Sequence, residues 1–158
     1  ITRNEMNRQS VDISQMADEI SSELRRAEPG RRAEFLIQPS MRVYSDANLL
    51  RIAIDNLLRN AWKFTGRNEA ARIEVGCLPR GRELVSFVKD DGAGFDMRYA
   101  SKLFGPFQRL HSAGEFAGSG IGLAIVHCVV LRHGGRIWAE ADVERGACFY
   151  FTLAPVSH

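Results

Sequence analysis

Apolar residues recur along this chain with two different spacings, and each spacing predicts one kind of element. Apolar residues three and four apart predict helices over residues 12–26, 46–64 and 121–133. Shorter apolar runs bounded by turn residues predict strands over residues 33–38, 42–44, 72–78, 84–89, 136–141 and 147–153. Most strands follow one another in hairpin order. We therefore expect an α+β fold, a two-layer sandwich in which about three helices cover one face of a mixed, mostly antiparallel sheet.

The central predicted helix, residues 46–64, has two distinct sides. Its apolar side, expected to face the core, consists of Leu50, Ile54, Leu57, Leu58 and Ala61. Asn56, Asn60 and Lys63 are spaced i, i+4 and i+7 and share a different side. Asn is a poor helix former, so two asparagines one turn apart indicate either a solvated surface or a site. In a site, their amide oxygens would suit Mg²⁺ and the lysine would suit a phosphate.

A glycine-rich segment, DDGAGF at residues 90–95, follows directly on a predicted strand. Its two glycines would let the backbone turn sharply and approach a ligand closely. A carboxylate held there would accept a hydrogen bond from an exocyclic amine. A simple Asx turn explains the same residues, and for this segment alone the turn is the favoured interpretation.

A second glycine-rich segment, GSGIGL at residues 118–123, opens the third predicted helix. Its GxGxG spacing and its position after a loop do not fit the dinucleotide-binding fingerprint. Glycines that open a helix still expose backbone N–H groups to a phosphate, although a flexible hinge is the alternative. Residues 95–120, between the two segments, are too long for an ordinary connection, so we expect a functional lid. Arg109 in this lid would either approach a terminal phosphate or remain solvated.

The composition indicates one ordinary domain of 158 residues, 45% of them hydrophobic, with a net charge of +2. So small a net charge argues against nucleic acid as a partner. Cys77, Cys128 and Cys148 lack the spacing of a zinc or redox motif, and we expect reduced thiols in a cytoplasmic protein. The first residue is Ile1 rather than Met. We therefore expect a piece of a longer parent protein, either soluble or membrane-anchored.

Four motifs occur in a specific order: NxxxNAxKF at residues 56–64, DDGAGF at 90–95, FGPFxR at 104–109 and GxGxGL at 118–123. In this order they resemble the N, G1, F and G2 boxes of the catalytic and ATP-binding domain of sensor histidine kinases. That domain belongs to the GHKL superfamily, of Bergerat fold, with DNA gyrase, MutL and heat-shock chaperone ATPases. Residues 105–124 look most like bacteriophytochrome-type and related soluble kinases. The resemblance implies a catalytic domain over residues 12–158, a lid over about 95–120, and a linker from a dimerisation hairpin over residues 1–11.

The same resemblance implies ATP and Mg²⁺ as cofactors and assigns a role to each motif residue. The residues implied at the phosphates are Asn56, Asn60, Lys63 and Arg109, with Asn60 as the metal ligand. The residues implied at the adenine are Phe64, Asp91, Gly92, Gly94 and Phe95, with Asp91 accepting from the adenine amino group. The loop implied to cradle the phosphates through its backbone consists of Gly118, Ser119, Gly120, Ile121, Gly122 and Leu123. This sequence departs from the family pattern in having Ser119 where Thr is common and only Gly146 for the last glycine motif.

Hydrolytic relatives carry a water-activating Glu four residues before the Mg²⁺ asparagine. This chain has Asn56 there, and an amide cannot act as a base, so we expect phosphoryl transfer rather than hydrolysis. The expected acceptor is a histidine on a dimerisation domain absent from this chain, with a response regulator downstream. The chain's own histidines, expected on the third helix, in the lid and in the tail, are His111, His127, His133 and His158. We expect a monomer for the isolated domain and a homodimer for the parent.

Two other functions fit the sequence. One is a nucleotide-sensing regulatory module or a serine kinase that acts on a partner protein, as anti-sigma factors do. The other is a degenerate domain that only binds a partner, and the intact motif residues count against it. An upstream phosphoacceptor histidine in the parent would decide for the histidine kinase.

Overall fold

The structure, a computed structural model, describes residues 6–66, 68–81, 83–94, 121–142 and 145–153. Three helices lie in these ranges: α1 (Ile13–Ala27), α2 (Ala47–Phe64) and α3 (Ile121–Arg132). The strands there are β1 (Arg8–Asp12), β2 (Ala33–Ile37), β3 (Arg42–Asp46), β4 (Ala71–Arg80), β5 (Glu83–Asp90), β6 (Ile137–Asp142) and β7 (Gly146–Phe151). The predicted lid, within which the sequence also allows a short helix near residues 97–103, lies outside the described residues.

The main sheet has five strands in the order β2-β4-β5-β7-β6. The β2–β4 pair is parallel, whereas the β4–β5, β5–β7 and β7–β6 pairs are antiparallel. The parallel pair is possible because α2 lies between β2 and β4 in the chain and provides the long crossover that parallel strands need. The predicted α+β fold with a mixed, mostly antiparallel sheet is therefore confirmed.

The helices pack on one face of the sheet, as predicted. Alternate residues of neighbouring strands lie opposite one another and share that face, as Val75, Val88 and Phe149 do, and all three are buried. The apolar side of α2 is buried against them, since Leu50, Leu57 and Leu58 are each at most 1% exposed. The hydrophobic core therefore lies between the helix layer and one face of the sheet.

β1 is an element that the sequence did not predict. Residues 8–12, most of which were assigned to the linker, pair antiparallel with β3 and form a small separate sheet in which Val11 lies opposite Val43. Val11 is the one buried residue of this strand. A polar strand held mainly by backbone pairing has no alternating apolar pattern, and so it could not be recognised from periodicity.

Local hydrogen bonds fix where the helices begin and how they meet. Asp12 and Asp46 are the N-caps of α1 and α2, accepting from the N–H groups of Gln15 and Leu49 at 3.0 Å each. His133, just after α3, is fully buried and accepts from the Asp46 N–H through Nε2 at 3.2 Å. Its Nδ1 then donates to the Val129 carbonyl at 2.8 Å. This neutral imidazole joins the end of α3 to the start of α2.

No described helix is long and apolar enough to cross a membrane.

Candidate nucleotide-binding site

The predicted polar side of α2 is open in the structure. Asn56 and Asn60 are half-buried and Lys63 is exposed, whereas the opposite side of the helix is buried in the core. The Asn56 amide nitrogen donates to the Ile52 carbonyl at 2.7 Å, so its Oδ1 is left for other donors or a cation. The Asn60 side chain makes no hydrogen bond with the described part of the chain. With respect to the described residues, both amides are therefore free to offer an oxygen to a ligand.

The C-terminal end of α2 is held from outside the helix by Arg31. Its guanidinium donates from Nη1 to the Trp62 carbonyl at 2.7 Å and from Nη2 to Thr65 Oγ1 at 2.8 Å. It also lies over the Trp62 ring, 3.9 Å from the ring centroid. The bond to the Trp62 carbonyl satisfies one of the orphan backbone acceptors of the last turn, which carries Lys63 and Phe64. Phe64 is itself only 9% exposed.

Gly92 and Gly94 allow the segment after β5 to pass between two other stretches of backbone. A Cβ on Gly92 would lie 2.2 Å from the Phe64 carbonyl oxygen, and the next residue, Ala93, donates its N–H to that same oxygen at 2.9 Å. Gly94 has a φ of +64°, and a Cβ there would lie 1.9 Å from the Asp142 carbonyl oxygen. Both positions therefore require glycine, and the segment is fastened to the end of α2.

Asp90 ends β5 with its side chain on the helix-covered face of the sheet. It lies opposite Ile73 and Ala147 in the two neighbouring strands, and both of those residues belong to the buried core. Asp90 is 4% exposed, and its Oδ1 accepts from the Gly92 N–H at 2.9 Å. Burial raises the pKa of Asp90 to about 7, although hydrogen bonds from the Gly92 and Ala147 N–H groups oppose the shift. Within the described residues, no cation pairs with this carboxyl.

Asp91, the predicted adenine ligand, is exposed and has a different set of neighbours. Its Oδ1 accepts from the Arg72 N–H at 3.0 Å and from the Asn68 side-chain amide at 3.1 Å, at the start of β4. Asp90 is the acidic residue that sequence reasoning missed. The sequence signal that could have identified Asp90 is the two-residue period of a strand. Asp90 is two residues after the core residue Val88 and therefore lies on the same face of the sheet.

The remaining predicted site residues divide into two groups. Ile121 and Gly122 are the first residues of α3, which begins where the sequence predicted. Leu123 is 4% exposed and belongs to the hydrophobic core, so its side chain faces the protein interior. The residues that lie outside the described part of the chain are Phe95, Arg109, Gly118, Ser119 and Gly120.

Two of the four histidines belong to the described residues. His133 is fully buried, and both of its ring nitrogens are engaged. His127 is half-buried in α3. The burial of His133 makes it unsuitable as a phosphoacceptor in the folded protein.

Three features together define a class of protein. The helices lie on one face of a mixed sheet, amides lie on the open side of α2, and a glycine segment is held at the C-terminal end of α2. They are the features of an ATP-binding domain of the GHKL type. The family model described as "Histidine kinase-, DNA gyrase B-, and HSP90-like ATPase" matches residues 45–157. The chain belongs to this family.

Two named relatives show which members of this family the chain resembles. The methanogenesis regulatory histidine kinase FilI of Methanothrix harundinacea is 45% identical over 112 residues, which are 71% of this chain and 12% of that protein. Cyanobacterial phytochrome A of a Nostoc species is 34% identical over 145 residues, 92% of this chain and 19% of that protein. The chain thus spans less than a fifth of the length of either relative.

Two solved structures are similar in fold to this chain. The mycobacterial sensor histidine kinase MprB has a TM-score of 0.77 at 29% identity, over 92% of this chain and 97% of that one. Full-length ShkA in complex with AMPPNP has a TM-score of 0.75 at 25% identity, over 94% of this chain and 31% of that one. The predicted family is confirmed, and the chain is an ATP-binding catalytic domain of the histidine kinase type. The alternative of a serine kinase or sensing module is not favoured.

Proposed function

We propose that this domain binds Mg²⁺-ATP and donates its γ-phosphoryl group to a histidine on the dimerisation domain of a parent kinase. The observation that carries the proposal is Asp90, a buried carboxyl on the helix-covered face with no cationic partner among the described residues. An uncompensated buried carboxyl is costly and is typical of a functional site. An adenine amino group would supply the missing donor. We therefore assign to Asp90 the adenine contact that the motif comparison assigned to Asp91.

Phe64 and the glycine segment would complete the adenine end of the site. Phe64 lies in the last turn of α2, and Gly92 packs directly on its carbonyl group. The backbone around the base would therefore be fixed before the nucleotide arrives, which reduces the entropy that binding costs. The remaining predicted contacts, from Phe95 and from the phosphate loop at 118–123, are part of the proposal on the strength of their motifs.

Asn60 is the residue we propose as the Mg²⁺ ligand, with Asn56 beside it and Lys63 toward the phosphates. The residues present fit the metal, because the Asn60 amide is free of other described partners and amide oxygens suit Mg²⁺. Among the described residues, no cluster of three or more His, Cys, Asp or Glu side chains would hold a metal alone. The nucleotide's own phosphates would thus complete the coordination, and the bound metal would neutralise phosphate charge.

Transfer is favoured over hydrolysis because Asn56 occupies the position of the water-activating Glu. Its amide nitrogen is already bonded to Ile52, and an amide takes no proton from water at neutral pH. Catalysis would come from positioning and charge neutralisation, with Lys63 and the lid residue Arg109 at the phosphates. A neutral imidazole needs no strong base to attack, which makes a histidine the fitting acceptor.

The proposed setting is a cytoplasmic domain that is monomeric alone and part of a homodimeric parent. Its direct partner would be the dimerisation domain, and a response regulator would receive the phosphoryl group afterwards. The relative FilI, a regulatory histidine kinase, and the structural neighbour MprB, a sensor histidine kinase, support a signalling role for the parent.

Phosphotransfer to the parent's dimerisation hairpin tests the proposal. With γ-labelled ATP and Mg²⁺, this chain should place an acid-labile, base-stable phosphoryl group on the hairpin, and Asn60→Ala should lose that activity. Asn7→Ala is the matched control. Asn7 precedes β1 and is not a residue of the candidate site, so this variant should retain phosphotransfer. A label on serine, or labelling that survives Asn60→Ala, would contradict the proposal.

A further inference from the structure

A concave site lies beside Asp91, at the starts of β2 and β4. Its volume is about 730 Å³, and its charged lining residues are Arg25, Arg31, Arg32, Arg72, Glu34 and Asp91. We call it the arginine cavity. The four arginines come from α1, from the loop after it and from β4, so they surround one concavity instead of following a single helix or groove. The volume is in the range of small-molecule sites.

Aromatic rings hold two of these arginines in place. The Arg31 guanidinium lies over Trp62, 3.9 Å from the ring centroid, and its two hydrogen bonds to the end of α2 fix its orientation. Arg25 lies over Phe35, 5.1 Å from that centroid, and Phe35 stacks on Trp62 with the centroids 5.9 Å apart. Because these guanidinium groups are already ordered, a ligand would not have to pay for immobilising them.

The positive charge of the cavity exceeds what its own carboxylates compensate. Four arginines face two carboxylates, Glu34 and Asp91. Glu34 pairs with Arg72 at 3.3 Å, and Asp91 accepts from the Arg72 N–H and from Asn68. The exposed side chain of Arg32 forms no hydrogen bond or ion pair with any described residue.

Partial burial adds to this demand for an anion. Desolvation lowers the pKa of Arg31, and the neighbouring Glu28 only partly opposes the shift. Glu28 is also engaged elsewhere, because its Oε1 accepts from the Trp62 indole N–H at 2.9 Å. An anion in the cavity would therefore relieve a charge that the described residues leave incompletely balanced.

We propose that the arginine cavity binds a small phosphate-bearing anion, inorganic phosphate or a phosphate monoester, at a site separate from the nucleotide. Arginine is suited to this ligand because its planar fork donates two parallel hydrogen bonds to phosphate oxygens. The convergence of four arginines on one small-molecule-sized cavity favours a compact anion over an extended acidic peptide. Glu34 and Asp91 at the wall would accept from hydroxyl groups of a monoester.

Trp62 provides the readout for a direct test, since it touches Arg31 and is one of only two tryptophans in the chain. In a Trp138→Phe background the remaining tryptophan fluorescence comes from Trp62, which lies against Arg31 of the cavity. The protein is titrated with inorganic phosphate, and separately with glycerol 3-phosphate, at constant ionic strength and with saturating ADP to fill the nucleotide site. We expect a saturable change that weakens about tenfold or more when Arg32→Gln and Arg72→Gln are combined. Arg26→Gln, an exposed arginine of α1 outside the lining, should leave it unchanged.

Two outcomes would overturn the proposal: no saturable change with either phosphate compound, or equal weakening by Arg26→Gln and by the Arg32 and Arg72 pair. Binding of a hexaglutamate peptide without binding of phosphate would also overturn it, and would identify an acidic protein segment as the occupant. Asp90→Asn should lose nucleotide binding. When this variant is titrated with phosphate in the absence of ADP, it should keep the phosphate response. This variant distinguishes a failure of the cavity proposal from a failure of the proposed function.

Discussion

Asp90 and Asp91 are adjacent in sequence but lie in different surroundings, because successive side chains at a strand end face opposite sides of the sheet. Burial raises the pKa of Asp90 from 3.8 to about 7. At a pH well below 3.8 this carboxyl is protonated in both the folded and the unfolded chain, and its contribution to stability is complete. As the pH rises toward 7 the unfolded chain ionises first, and that contribution is lost.

Asp90→Asn should therefore increase the free energy of unfolding at pH 8, by up to about 4 kcal/mol, and should have little effect at pH 4. Asn retains an oxygen that can accept from the Gly92 N–H but carries no buried charge. Urea unfolding at both pH values measures this, with Asp91→Asn as the matched control that should give no comparable gain. A larger loss of stability at pH 8 than at pH 4 would contradict the placement of Asp90.

Gly92 and Gly94 should tolerate no side chain, since a Cβ at either position would lie within 2.2 Å of a backbone oxygen. Gly92→Ala or Gly94→Ala should each lower the free energy of unfolding by about 2 kcal/mol or more. Gly30→Ala is the control, because a Cβ there would meet nothing within 4 Å, and its effect should stay within about 0.5 kcal/mol. Similar melting temperatures for all three variants would show that Gly92 and Gly94 do not approach the neighbouring backbone as closely as the structure indicates.

At the scale of elements, the two sides of α2 should respond differently to truncation. Leu57 is 1% exposed in the core, so Leu57→Ala should cost about 2–5 kcal/mol of stability. Asn60→Ala on the open side should cost little stability but should abolish phosphotransfer. Thermal melts compare the two variants directly, and the reverse order of melting temperatures would refute the assignment of the two sides.

The same element explains how much the sequence could predict. The spacing of Leu50, Leu57 and Leu58 gave the buried side of α2, because burial of a helix leaves a period in the sequence. Trp62 is different: it lies beside the predicted polar residues, yet Arg31 and Phe35 cover it from other elements. Contacts between distant segments leave no periodic signal. For the same reason β1, which depends on pairing with β3, was not predicted.

The candidate site also could be predicted only in part from the sequence. The motif order predicted that α2 and the segment after β5 would work together, and the structure brings them into contact through Gly92 and the Phe64 carbonyl. Which of two adjacent aspartates faces inward depends on strand register, and both fit the motif by composition. The strand period favours Asp90, two residues after the core residue Val88, and the pairing of Asp90 with Ile73 and Ala147 establishes that it faces the core.

At the scale of the whole molecule, the chain should be a phosphoryl donor without an acceptor. Incubated alone with labelled ATP, it should neither label itself appreciably nor hydrolyse ATP rapidly, since Asn56 cannot activate water and His133 is inaccessible. Autoradiography and phosphate release measure the two activities. A stable label on His127 or His133, or fast turnover that survives Asn56→Ala, would contradict this expectation.

The central claim is that Asp90 and the open side of α2 together bind an adenine nucleotide. Calorimetric titration of the chain with Mg²⁺-ADP, together with Asp90→Ala and Asp91→Ala, tests it most directly. We predict one site for ADP, little affinity for GDP, affinity weakened at least about tenfold in Asp90→Ala, and affinity retained in Asp91→Ala. Equal affinity for ADP and GDP, or loss of binding in Asp91→Ala but not in Asp90→Ala, would contradict the account.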